Sequence, residues 1–138
     1  MPDVKPRVLL AARPDACAPF RAAVYGYAEV LEAPTMGAAI AKLKSASPIH
    51  LICSTLFFDE SRMFDLLRWV KAELPHIPFI CARALPKDMP KISLEAARIA
   101  ADSLGAAAFI DIPMLAKEGG TDTLSERLRR LLLGHIKG

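Results

Sequence analysis

Ser54 and Thr55 stand side by side at the end of the apolar run Leu51-Ile52-Cys53, where a hydroxyl could begin an acyl or phosphoryl transfer. A hydroxyl is a weak nucleophile until a neighbouring base takes its proton and an acid orients that base. The histidines are His50, His76 and His135. His50 opens an apolar run, His76 precedes another and His135 lies in the tail, so none is expected beside the two hydroxyls. There is also no Gly-x-Ser-x-Gly elbow. Cys17, Cys53 and Cys81 are odd in number and widely spaced, with no Cys-x-x-Cys pair and no Cys/His cluster. They are expected as buried reduced thiols, with no zinc or redox motif. Cys53 and Cys81 are candidates for lateral neighbours on adjacent strands. Asp15 and Asp59 could ligate a metal or cap helices. Arg13 and Arg83 are two guanidiniums, each following an apolar run.

These side chains depend for their placement on a regular alternation of apolar runs and amphipathic stretches. Residues 7–12 read as a buried strand. Pro14 and Asp15 open a helix carrying Phe20, Val24 and Tyr27. Residues 29–33 form a strand ended by Pro34, and Met36, Ile40 and Leu43 line a second helix that Pro48 stops. A third strand begins at residues 49–53. Residues 59–61 are expected to cap a third helix bearing Phe64, Leu67, Val70 and Leu74. Residues 77–82 form the fourth strand. Ser93 opens a fourth helix with Leu94, Ala97, Ala101 and Leu104 on one face, and Gly105 stops it. Residues 107–112 form the fifth strand, closed by Pro113. Thr123 and Glu126 have capping-box spacing before a last helix bearing Leu124, Leu128, Leu131 and Leu132.

Strands that read as continuous apolar runs are covered on both faces. The expected fold is therefore α/β: a doubly wound, five-stranded parallel sheet of order 2-1-3-4-5 between two layers of helices. Residues 1–138 are expected to make one domain, either standing alone or as a fragment. The chain is 53% hydrophobic and 24% charged, which suits a globular rather than a disordered protein. No apolar run approaches the roughly 20 residues that span a bilayer, so no membrane association is expected and a cytoplasmic location is the default. The net charge of +3 is mild and the basic residues are dispersed, which argues against a nucleic-acid partner. Trp69 is expected as partly buried packing on the third helix.

Residues 50–71, HLICSTLFFDESRMFDLLRWVK, resemble the third strand and following helix of response-regulator receiver domains, and residues 105–114, GAAAFIDIPM, resemble that family's fifth strand. The likeness covers roughly residues 6–134 in order and spacing. It implies a flavodoxin-like, three-layer sandwich and a part in two-component signal transduction. In that family two acidic residues hold Mg²⁺, an Asp accepts the phosphoryl group, and a Ser or Thr and a Lys contact its oxygens. Matched by position, the acidic pair falls on Ala12 and Arg13, and the acceptor on Thr55, or on Ser54 if the loop is shifted by one. The hydroxyl falls on Arg83 and the lysine on Ile112; only Pro113 remains.

The resemblance thus implies a pseudo-receiver that is not phosphorylated, binds no Mg²⁺ or other cofactor, is not an enzyme, and works through protein–protein contact. A second reading is a small-molecule or anion-binding module, or an unrecognised enzyme, that uses Arg13 and Arg83 at the carboxyl edge of the sheet. Against it stands the expectation that these arginines pair with Asp15, Asp59, Glu60 or Asp88 and fill the old pocket. A flavin is not expected, because the first loop, ARPDACAP, has neither Gly nor hydroxyl to cradle a phosphate. The expected interface, for a protein partner or a second copy, is the fourth helix and fifth strand. Ile92, Ala96, Ile99 and Ser103 make a second apolar stripe on that helix, with Phe109 on the neighbouring strand. The competing expectation is that Leu85 and Met89 fold over this stripe.

Overall fold

The computed structural model describes residues 5–45, 47–84, 91–118 and 123–136, with the side chains of residues 91 and 92 left aside. Five short strands form one sheet: β1 (Arg7–Ala11), β2 (Glu29–Ala33), β3 (Leu51–Thr55), β4 (Phe79–Arg83) and β5 (Ala108–Asp111). All neighbours pair in parallel, in the order β2-β1-β3-β4-β5. That is the expected α/β sheet, and its cause is visible in β3, where all five residues are buried because helices cover both faces.

The helices are α1 (Ala18–Val24), α2 (Met36–Leu43), α3 (Met63–Glu73), α4 (Lys91–Ser103), α5 (Ile112–Lys117) and α6 (Leu124–Leu133). Alternate strand residues feed two cores. Leu9, Ile52 and Cys81 pack with Ala39 of α2, Leu66, Leu67 and Val70 of α3, and Ala97 and Ala101 of α4. Val8, Leu10, Cys53 and Ile80 pack with Phe20 and Val24 of α1 and with Leu128 and Leu132 of α6. Phe58 and Phe79 are fully buried; truncating such a ring to Ala costs about 3–5 kcal/mol. Trp69 packs half-buried against the first core, as its place on α3 implied.

Several local expectations are corrected. Cys53 aligns with Ile80 and Cys81 with Ser54. The two thiols therefore sit in cores on opposite faces of the sheet and cannot be lateral partners. A single 3-10 turn (Pro14–Ala16) precedes α1, which ends before Tyr27. Gly26, at φ +83°, turns the chain there and leaves Tyr27 54% exposed beneath the Arg129 guanidinium. Residues 59–61 do not cap α3, whose N-cap Arg62 makes no side-chain capping bond. Finally, β5 stops at Asp111, and Ile112-Pro113 opens the short helix α5 instead of ending a strand. A proline near a helix start costs nothing because the missing N–H would have no partner there. The capping box at Thr123 and Glu126 forms as its spacing predicts. Leu131 of the predicted apolar face, however, is 41% exposed.

Candidate functional site at the carboxyl edge of the sheet

The carboxyl ends of β1, β3, β4 and β5 bring Ala12, Arg13, Ser54, Thr55, Arg83, Asp111 and Ile112 to one edge. Ala12 is buried just past β1, and its N–H donates to the Ala33 carbonyl at 3.2 Å, so it extends the ladder rather than lining an open pocket. Arg13 turns outward, with Nη2 3.0 Å from Oδ2 of Asp15. Both side chains are well exposed, so this pair contributes at most about 1 kcal/mol. Ser54 is fully buried, and its Oγ donates to the Ala11 carbonyl at 2.9 Å. That hydroxyl ties β3 to β1, and among the described residues no base is recorded in contact with it. Thr55 is 3% exposed at the end of β3.

Arg83 and Asp111 are direct register partners at the ends of β4 and β5. Nη1 of Arg83 lies 3.0 Å from Oδ1 and 3.3 Å from Oδ2 of Asp111. The side chains are 17% and 2% exposed, respectively. Oδ1 also accepts the Met114 N–H at 3.3 Å, so Asp111 is the N-cap of α5 as well as the counter-ion of Arg83. A carboxylate this buried needs both a cation and hydrogen bonds, and it has them. Ile112, where the resemblance expects a lysine, is buried in the α1/α6 core.

One expected pairing of the two arginines forms, while the expected Arg83–Asp88 pairing falls outside the described residues. Arg13 takes Asp15, but Arg83 takes Asp111, a residue that reading residues 107–112 as one apolar strand passed over. The strand register holds the missing signal: with order 2-1-3-4-5, the last residue of β4 faces the last residue of β5. Asp59 makes neither arginine contact. Its Oδ2 accepts the Met36 N–H at 2.8 Å, which caps α2 across 23 residues of sequence. Asp88 lies outside the described residues, as do Leu85 and Met89 and the side chain of Ile92.

The donor set does not fit Mg²⁺. Where the resemblance expects paired carboxylates the chain has the methyl of Ala12 and the guanidinium of Arg13, while Asp15 pairs with Arg13 and Asp59 accepts the Met36 N–H. Among the described residues there is no group of three or more His, Cys, Asp or Glu side chains placed to hold a metal ion. His50 stands at the opposite edge, where its Nδ1 accepts the Arg7 N–H at 2.9 Å. The thiols are protonated and shielded. Burial, helped by the negative charge of Glu32, pushes Cys17 up from 9.0 to about 11, and burial pushes Cys81 up to about 12 and Cys53 higher still.

Leu94, Ala97 and Ala101 of α4, with Leu104 just past its end, pack into the sheet core as predicted. Ala96 and Ser103 are exposed, and Ile99 is 59% exposed. Phe109 of β5 is half-buried, with the Arg98 guanidinium 5.1 Å from its ring centre.

No family model matches the chain, and no curated protein matches it. Solved structures do. The phosphorylated cyanobacterial phytochrome response regulator RcpA superposes with a TM-score of 0.69 at 14% identity, over 97% of this chain and 98% of that one. The non-phosphorylated HemR receiver domain of Leptospira biflexa gives 0.62 at 24% identity, over 92% and 91%. An orphan response regulator of H. pylori gives 0.68 at 12% identity, over 99% and 100%. The chain has the fold of response-regulator receiver domains. Among the described residues no helix is long and apolar enough to cross a membrane.

Proposed function

We propose that this chain is a pseudo-receiver: a signalling module that takes no phosphoryl group and acts by binding a protein partner, or a second copy of itself, through α4 and β5. The Arg83–Asp111 ion pair carries this reading. It joins β4 to β5 at the edge where phosphoryl-contacting groups would stand, Ile112 lies in the core, and Thr55 is a buried hydroxyl at the acceptor position. A threonine there would also form a stable ester rather than a labile acyl phosphate. The anion-binding alternative is weaker, because both guanidiniums already lie on carboxylates. The exposed Ile99, flanked by the exposed Ala96 and Ser103, supports α4 as the binding face.

The test pairs intact-mass measurement with light scattering. After incubation with acetyl phosphate and Mg²⁺ the mass should be unchanged, for the wild type and for Thr55→Asp alike, since Arg13 and Ile112 remain. Ile99→Glu should cost under about 0.5 kcal/mol of stability, as exposed substitutions do, while abolishing self-association or partner binding. A phosphoryl mass increase contradicts the first half of the proposal. An Ile99→Glu protein that binds as the wild type does contradicts the second.

A further inference from the structure

β2 is an outer strand of the sheet, and its hydrogen-bonding alternation can be followed residue by residue. The Glu29 N–H donates to the Pro6 carbonyl at 2.8 Å, and the Ala33 carbonyl accepts from the Ala12 N–H at 3.2 Å. Alternate residues of a strand turn their main-chain groups to opposite sides. Glu29, Leu31 and Ala33 thus face β1, while the N–H and C=O groups of Val30 and Glu32 face outward. No described residue bonds to those four groups.

Open edges are commonly guarded by charge. Here Glu29 and Glu32 could serve, but each is held by its own arginine: Arg7 Nε is 3.2 Å from Glu29, and Arg21 pairs with Glu32. A groove flanks the edge on either face. One of about 580 Å³ lies toward α2, lined by Leu31, Ala38 and Lys42. The other, of about 470 Å³, lies toward α1, lined by Val30, Lys5 and Tyr25, whose side chain belongs to a residue 86% exposed.

We propose that β2 is a strand-addition site for an extended segment of a partner protein, with small apolar residues at alternate positions and acidic residues beside them. Successive side chains of an added strand point to opposite faces, so its two sets of side chains would meet the two grooves while its backbone takes the outward groups of Val30 and Glu32. Charge selects the occupant. Lys42 and Lys5, one in each groove, have no carboxylate partner among the described residues, whereas Glu29 and Glu32 are matched. A second copy would bring its own lysines to the same edge and be repelled. The site is independent of the reading of the carboxyl edge.

The probe is a synthetic peptide of alternating Val and Thr flanked by Asp, titrated into the ¹⁵N-labelled full chain. The Val30 and Glu32 amides should shift and their hydrogen exchange should slow. A Lys-flanked version should bind about tenfold or more weaker. Val30→Pro, which lacks the outward N–H, should weaken the Asp-flanked peptide by about tenfold while leaving the β3 and β4 amides unchanged. Should that variant not fold, Lys42→Glu should give a loss of the same direction. Unperturbed Val30 and Glu32 amides, equal binding of the two peptides, or protection that grows with protein concentration in the absence of peptide would each overturn the proposal; the last would assign the edge to a second copy.

Discussion

An arginine and an aspartate facing each other across two parallel strands define the carboxyl edge at the scale of single residues. Asp111 is 2% exposed at its side chain, so its charge depends on Arg83 and on the Met114 N–H. Removing one partner of a buried pair costs about 3–5 kcal/mol. Because the Met114 bond survives, Arg83→Ala should fall near the lower end of that range, at about 3 kcal/mol by urea unfolding. Arg83→Met combined with Asp111→Asn should recover much of that loss, since it neutralises both charges and keeps the cap. A double-mutant cycle showing additive effects would mean that the pair is not coupled. Cys17 makes a pH prediction. Its thiol titrates at about 11 when folded against 9.0 ordinarily, so burial favours the neutral form. The unfolded chain ionises first as the pH rises. Stability from this group is therefore complete below pH 9 and is lost between about 9 and 11. Cys17→Ala should have a shallower decline of stability across that window than the wild type, measured by denaturant melts at each pH.

Among the described residues, the non-glycine positions with positive φ all lie in the loop between β3 and α3. Asp59, Glu60 and Ser61 lie at φ 43°, 56° and 68°, consecutive left-handed positions with no glycine among them. An L side chain costs about 1–2 kcal/mol there, and Asp tolerates it best. The Asp59 cap on α2 helps hold the loop in this shape. Glu60→Gly should raise stability by about 0.5–1 kcal/mol, read as a higher melting temperature; a lower one would show that the Glu60 side chain contributes more than the strain removes. These three residues also mark what the sequence could and could not disclose. The βα alternation was legible because strands buried on both faces must read as apolar runs, and Thr123 and Glu126 were legible because a capping box is local. Asp59 was misassigned because its partner, Met36, lies 23 residues away. α5 was missed because Ile112-Pro113 reads equally well as the end of a strand or the start of a helix. Asp111 was missed because its counter-ion, Arg83, lies on β4, which is its neighbour in the sheet and not in the chain.

Across the whole molecule, the sheet has the receiver order and two cores, and its carboxyl edge, where the proposed function places no phosphoryl chemistry, carries Ala12, Arg13, Thr55 and an ion pair. Candidate binding surfaces then lie elsewhere: the exposed stripe of α4 on one side and the open strand β2 on the other. A carboxyl edge closed to metal and phosphoryl groups underlies the proposed function. It is tested most directly by titrating Mg²⁺ and beryllofluoride into the ¹⁵N-labelled chain while following the amides of Arg13, Thr55, Arg83 and Asp111. All four should stay at their starting positions. Saturable, Mg²⁺-dependent shifts centred on Thr55 would contradict it.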